Sequence, residues 1–335
     1  MQAKKKIAFL SMPVDFTVAI PTYNGAKRLP EVLERLQQQL NPDKLNWEIV
    51  VIDNNSTDNT AQVIQAYQAD WQQSYPLKYY LETQQGAHFA RTLALQVASA
   101  PLVGFLDDDN LPETNWLTQA DHFAKNHPQA GAYGGKIHPL YEVKPPANFH
   151  RIACLLAIID RGSQPLLYNP QNRLLPPSAG LVVRKQAWQE CAPPQQILGG
   201  RNKDSMLTSE DLEMQSYLQK GGWEIWYNPE MVINHKIPAW RLEKDYLINL
   251  VRGIGLSRYV TRTVTYKPWQ KPLISLVYLI NDLRKIMLHL LKYKFQVKTD
   301  LVAACEMELF VSSLSSPFYL WKNGYLKPDH GSHKS

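Results

Sequence analysis

Short apolar runs and amphipathic stretches alternate along the first hundred residues. Residues 16–21 form a β-branched apolar run, Tyr23-Asn24-Gly25 reads as a turn, and Leu29, Val32, Leu33, Leu36 and Leu40 recur at helical spacing over 29–40. The alternation continues with a strand over 47–52 that closes at Asp53 and a helix to residue 67 opened by Asn55-Ser56-Thr57-Asp58. A strand over 77–82, a helix over 87–98 and a strand over 102–106 follow. Strands separated by helices in this way predict an α/β fold with a largely parallel, doubly wound sheet. Ligands of such sheets gather beyond the carboxyl ends of the strands. Asp53, Gly86-Ala87-His88 and Asp107–Asp109 all fall there, so they are expected to converge.

The second half is patterned differently. Residues 176–180 form a small-residue loop that enters a strand ending near Arg184. Leu198-Gly199-Gly200-Arg201 leads to Ser209-Glu210-Asp211, which open a helix carrying Leu212, Met214, Tyr217 and Leu218. Residues 226–233 are strand-like and precede His235. Residues 136–148 are expected to be a loop. Beyond residue 245, Arg252, Arg258 and Arg262 are interleaved with apolar residues. Leu276, Leu279, Ile280, Leu283, Met287, Leu290 and Leu291 then make a helical stripe opposed by Asp282, Arg284, Lys285 and Lys292, and a further helix is expected over 301–314. The pattern divides the chain into an α/β unit over 1–245, with halves at about 14–110 and 111–245, and a helical extension over 246–335. The stripe suits a helical pair packed on the rest or a dimer contact. It equally suits peripheral membrane contact through 268–315, because apolar faces with basic flanks lie in bilayer interfaces. No stretch offers the roughly 18 uncharged apolar residues of a spanning helix. Met1–Met12 resembles a signal peptide, but its apolar part is short and is interrupted by Pro13 and Asp15. The tail after Lys327 reads as disordered.

Composition narrows the classes. The chain has 335 residues, 44% of them hydrophobic, which is ordinary for a globular protein. A net charge of +6 suits an anionic partner, but no nucleic-acid-binding motif accompanies it, so nucleic acid is not expected. The 3 cysteines are isolated, which argues against both a zinc site and a disulfide framework and fits a reducing cytosol.

The strongest chemical feature is the triplet Asp107-Asp108-Asp109 after the apolar run 101–106. Two like charges about 4 Å apart repel by roughly 4 kcal/mol at an effective dielectric near 20, so folding alone gives no reason for three. A divalent cation does, since Mg²⁺ and Mn²⁺ prefer hard oxygen ligands. The plain alternative is an acidic turn that caps a helix starting at Pro112-Glu113. Other segments carry two readings each. Tyr23 offers a face to a base or ribose and Asn24 tolerates a tight turn, or the segment is a turn only. Asp53 can accept hydrogen bonds from a nucleoside, while Asn55 and Asp58 cap a helix. Arg91, five residues beyond Gly86, faces a diphosphate or solvent. Glu210 and Asp211 are favoured electrostatically at a helix N-terminus, and His235 is a ligand or a structural histidine at a strand end.

Taken in order, Val18–Asn24, Val51–Thr60, Gly86–Arg91, Asp107–Asp109 and Ser209–Asp211 resemble the blocks of family 2 glycosyltransferases, over roughly residues 14–240. The resemblance implies a GT-A fold, Rossmann-like with a mixed sheet, and an enzyme that moves a sugar from a nucleoside-diphosphate donor to a saccharide or lipid-linked acceptor. It places nucleotide on Pro21, Tyr23, Asn24, Asp53 and Asn55, phosphates near Gly86 and Arg91, and ribose on Asp107 and Asp108. A Mg²⁺ or Mn²⁺ ion falls to Asp109 and Asp107, completed by His235. Asp211 is implied as the general base, with Glu210, Gly180, Trp240 and Arg241 toward the acceptor. The implied chemistry is single displacement with inversion, with a UDP-sugar as the family's commonest donor. One departure is Thr92, where the family usually has asparagine. A nucleotidyltransferase shares the βα pattern and carboxylate–metal chemistry, but usually has a Gly-rich, basic loop where 21–25 lies. A non-catalytic sugar-binding scaffold is the other alternative.

Overall fold

The first four strands lie side by side in parallel. In the computed structural model, which describes residues 13–41, 44–170, 175–200 and 207–326, Phe16–Thr22 (β1) sits between Trp47–Asp53 (β2) and Leu102–Phe105 (β4). Leu77–Leu81 (β3) lies outside β2. β1 and β2 are buried almost throughout, which is why their apolar runs are continuous rather than alternating. Leu29–Gln37 (α1), Thr60–Ala69 (α2) and Ala87–Val97 (α3) make the crossovers, and α3 packs on β1 and β2. Beyond β4 the sheet turns mixed. Val182–Arg184 (β8) pairs antiparallel with β4, followed by Ala130–Tyr141 (β6), Glu224–Ile237 (β9) and Asn110–Pro112 (β5). The order is β3-β2-β1-β4-β8-β6-β9-β5, with Leu166–Leu167 (β7) added on β9.

Several sequence expectations need correction. The helix expected over 29–40 ends at Gln37, and Leu40 is exposed. Pro112 closes strand β5, and Trp116–Asn126 (α4) starts only afterwards, so the acidic triplet does not cap that helix. Residues 136–141 are strand rather than loop. Met1–Met12, Arg201 and the tail after Lys327 lie outside the described residues.

Lys185–Cys191 (α5) and Glu210–Lys220 (α6) complete the α/β layers. Lys244–Thr263 (α7), Lys271–Tyr293 (α8) and Leu301–Lys322 (α9) follow. α9 runs past the expected end at 314 and through Pro317. Its docking on α7 explains why: the Ser316 hydroxyl donates to Leu256 O at 2.5 Å and accepts from the Tyr259 amide at 3.0 Å. By length and composition α9 could cross a bilayer, although Glu306 and Glu308 lie within it. Here Val302, Cys305 and Leu309 of α9 instead share a core with Leu247, Leu250 and Val251 of α7 and with Phe149 and Ile152.

β6 and β9 are kept in register by a glycine. The pairing passes from Gly135–Asn228 directly to Lys136–Val232, so residues 229–231 bulge. A Cβ on Gly135 would stand 1.7 Å from Met231 O. Gly135→Ala is therefore expected to destabilise the protein by about 3 kcal/mol or more, read as a lower urea midpoint. An unchanged midpoint would show that the bulge can relax.

Candidate active site

Each of three consecutive aspartates has an arginine of its own, drawn from a different part of the fold. Asp107 takes Arg91 of α3, whose Nη2 lies 3.1 Å away. Asp108 takes Arg28, just before α1, through both oxygens at 2.7 and 2.8 Å, and accepts from the Thr22 hydroxyl at 2.6 Å. Asp109 takes Arg241, beyond β9, at 2.8 Å. The triplet forms the turn between β4 and β5. Asn110 closes it by accepting from the Asp107 amide at 3.1 Å and donating to Asp109 at 2.9 Å. Burial pushes the Asp108 carboxyl up despite Arg28. Burial would lift Asp109 as well, but its neighbours, the Arg241 and Arg28 guanidiniums among them, hold it down at about 2.

Arg91 joins the acids to the second half of the sheet. It donates to Glu210 at 2.5 Å and to the Ser178 hydroxyl at 2.8 Å as well as to Asp107. Burial works against its charge, yet Asp107, Glu210 and Asp211 raise it above the ordinary arginine value. Ser209 precedes α6 in a left-handed conformation (φ 71°), a strained choice for a non-glycine residue. It sets Glu210 and Asp211 on the first turn, where the helix dipole favours carboxylates. Asp211 accepts from the amides of Ser178 and Leu212 at 2.7 and 2.8 Å. Burial, then Glu210, push its carboxyl up to about 6 against the pull of Arg91. One turn on, buried Glu213 accepts from the Ile197 and Leu198 amides at 3.0 and 2.8 Å and ties the 197–200 loop to α6.

The three aspartates, their arginines and Asp211 line one cavity of about 1240 Å³, and so do Pro21, Tyr23, Gly86, Glu210 and His235. Five of the expected residues do not line it. Asp53 is buried and already engaged, accepting from the Ser56 amide and the Tyr79 hydroxyl, each at 2.9 Å. Asn24 accepts from the Thr57 amide at 2.8 Å, clamping the first turn to the second. Asn55 is an exposed left-handed turn residue, and Gly180 adopts φ 70° against Ile233. Trp240 faces outward beneath the Arg241 guanidinium, 5.4 Å from its ring. Conversely, Thr22, Arg28, Asn54 and Ser178 line the cavity without having been singled out. Asn54 shapes its rim by donating to Gln84 O at 2.6 Å and accepting from the Gly86 amide at 2.7 Å. Arg241, expected toward the acceptor, pairs with Asp109 instead, and for Arg28 the signal was arithmetic: three neighbouring carboxylates need counter-charges.

The donor set at Asp109 bears on a metal. Among the described residues no group of three or more His, Cys, Asp and Glu is arranged to hold an ion. Two donors do converge. His235, opposite Asn110 in the β5–β9 ladder, has Nε2 at 3.6 Å from Asp109 Oδ1. Both groups receive hydrogen bonds from Arg241, His235 at 3.0 Å and Asp109 at 2.8 Å. A guanidinium can only donate, so a nitrogen lone pair and a carboxylate point together at one cationic group. That pair of donors is chemically suited to a divalent ion.

Comparison with known proteins agrees with the geometry. Residues 17–184 match the family described as Glycosyl transferase family 2. Glycosyltransferase AglE of Haloferax volcanii is 31% identical over 102 residues, 30% of this chain and 32% of AglE. The poly(ribitol-phosphate) beta-N-acetylglucosaminyltransferase TarS of Staphylococcus aureus is 36% identical over 114 residues, 33% of this chain and 19% of TarS. The matched stretches thus span a third or less of these relatives. Among solved structures, mannosyltransferase PcManGT from Pyrobaculum calidifontis, in complex with GDP-Man and Mn²⁺, aligns with a TM-score of 0.55 at 20% identity, covering 89% of this chain and 86% of that one. TarS 1–349 with UDP-GlcNAc aligns at 0.51 and 16% identity, covering 92% of each. At these identities the likeness is one of fold, which is GT-A.

Arg91→Gln would leave Asp107, Glu210 and Asp211 without their shared cation. A loss of about 3 kcal/mol of stability is expected at pH 7.5. The loss should shrink toward pH 5, because the Asp211 carboxyl, already pushed up to about 6, no longer needs a compensating cation once it is protonated. Thermal melts across that range test this, and a loss that grows on acidification would contradict it.

Proposed function

The chain belongs to glycosyl transferase family 2, and from that premise we propose that it transfers a sugar from a nucleoside-diphosphate donor to a saccharide or lipid-linked acceptor in glycoconjugate synthesis, with inversion. The observation that carries this reading is the placement of Asp211, a half-buried carboxylate pushed up to about 6, in one cavity with the three compensated aspartates.

The nucleotide end is assigned to Pro21, Tyr23 and Asn54, with Asp53 and Asn24 bracing the two turns that carry them. UDP is the first donor to test, and PcManGT shows that a GT-A neighbour takes a GDP-sugar. Asp107 and Asp108 are assigned to the ribose. Asp109 and His235 would hold a Mg²⁺ or Mn²⁺ ion, which supplies positive charge to the departing diphosphate when bound. Arg91 bridges Glu210 and Asp107 beside that diphosphate.

The acceptor hydroxyl is a poor nucleophile at neutral pH. Asp211 takes its proton as the new bond to the anomeric carbon forms and the bond to the diphosphate oxygen breaks. Two backbone amides fix the carboxylate in place, and its raised value makes it a better proton acceptor than an ordinary aspartate. One base and one leaving group suffice for direct displacement, so no covalent sugar–enzyme intermediate is required.

The segment 268–315 is assigned to a membrane surface. The apolar stripe of α8 faces outward: Leu276, Ile280, Leu283 and Met287 are exposed, and Leu291 is 69% exposed. The residues α8 buries are polar, Asp282 and His289. A helix docked through its polar residues, with leucines outside and Lys271, Arg284 and Lys292 alongside, suits the interface of an anionic bilayer.

Asp211→Asn is expected to keep donor affinity and lose transfer by a factor on the order of 10²–10⁴. Wild-type transfer should rise with pH and level off above about 6. Full activity in the variant would remove Asp211 from the mechanism, and a binding-only scaffold would show no turnover to lose. In thermal shifts with UDP- and GDP-sugars, Mn²⁺ should add stabilisation that weakens in Asp109→Asn and His235→Ala. Equal shifts in all three proteins would move the ion elsewhere. Sedimentation with anionic liposomes should carry the protein down, and Leu276→Glu with Leu283→Glu should release it. A wild-type protein left in the supernatant would refute the membrane assignment.

A further inference from the structure

The cavity that holds the aspartates is also walled by residues of α7 and α8. Arg258 and Arg262 of α7 and Tyr278, Asn281 and Lys285 of α8 all line it. The acid that faces them is Asp282, which is 1% exposed and already held by both terminal nitrogens of Arg262 at 2.5 and 2.9 Å. The Arg262 guanidinium also lies 4.7 Å from the centre of the Tyr278 ring. That pair is closed on itself.

Arg258 and Lys285 are different. Among the described residues neither has a carboxylate within hydrogen-bonding reach, and Lys285 has only the Phe310 ring, 5.8 Å away. Burial brings the Arg258 guanidinium down to about 10, with Arg262 adding to the effect. Burial, then Arg258, lower Lys285 as well. Two unpaired cations therefore share a concave, partly dehydrated wall. Such an arrangement is unfavourable until an anion enters it, and a guanidinium beside an ammonium matches the oxygens of a phosphate.

Resting on the transferase reading above, we infer that Arg258 and Lys285 form a subsite for a phosphate group carried by the acceptor. In that reading the donor diphosphate is already provided for at Arg91 and Asp109. A phosphate on the α7–α8 wall belongs to the molecule whose hydroxyl reaches Asp211 through the same cavity. Asp282 is a positioning residue here, because it engages Arg262 and leaves Arg258 free for the ligand. The phosphate could come from a water-soluble polymer or from a lipid headgroup, since the outer face of the same α8 is apolar.

The test is calorimetric titration of the full chain, saturated with UDP and Mn²⁺, with inorganic phosphate and separately with dodecyl phosphate. Saturable binding that falls about tenfold or more in Arg258→Gln and in Lys285→Gln, but not in Lys322→Gln at the exposed end of α9, supports the subsite. Tighter binding of dodecyl phosphate, with the same dependence on Arg258 and Lys285, points to a lipid headgroup. Equal affinities point to a soluble phosphate. Either outcome supports the site. Should Arg258→Gln not fold, Arg258→Lys and Lys285→Gln decide the matter. No saturable binding of either probe, or affinities unchanged in the variants, overturns the proposal. Titration with UDP alone keeps the two readings apart: if UDP fails to bind while phosphate still depends on Arg258, the nucleotide-sugar reading fails and the anion site stands.

Discussion

Three neighbouring carboxylates can stand at the end of a buried strand only if opposite charge is brought to each of them. Arg91, Arg28 and Arg241 do so from α3, from the turn before α1 and from beyond β9. Because these arginines come from distant parts of the chain, the turn after β4 cannot take its native form until the parallel and antiparallel halves of the sheet have met. Charge compensation thus ties the site to the fold. Removing any one arginine would leave a buried acid exposed to repulsion in a medium less polar than water.

The same logic sets the two carboxylate clusters apart. Asp109 is held at about 2 by its polar and cationic neighbours, whereas Asp211, behind two amides and beside Glu210, is pushed up to about 6. Two aspartates in one cavity are thereby suited to different work. One remains an anion under nearly all conditions, and the other exchanges a proton near neutrality. The environment makes the distinction, since the side chains are chemically identical.

The helical extension inverts the usual arrangement of an amphipathic helix. α8 attaches through an ion pair, Arg262–Asp282, and through His289, which hydrogen-bonds Ala303 O at 2.9 Å. Its leucines face away from the protein. A buried ion pair adds little to net stability, but it fixes orientation. Here it fixes which side of α8 faces the cavity and which side is left to a surface.

Much of this was legible in the order of residues. Continuous apolar runs at β1 and β2, helical spacing at α1 and the position of Asp107–Asp109 after a strand define an α/β sheet with acids at its carboxyl edge, because periodicity and burial are local properties. The resemblance of the motif blocks to family 2 glycosyltransferases also pointed to Arg91 and Asp211. Local pattern could not reveal that Asp53 is spent on Ser56 and Tyr79, or that Arg28 serves Asp108, which lies 80 residues away. Nor could it tell which face of α8 points inward, since a helical stripe reads the same from either side. Those outcomes depend on which distant groups share a dehydrated space, and charge is matched in three dimensions rather than along the chain.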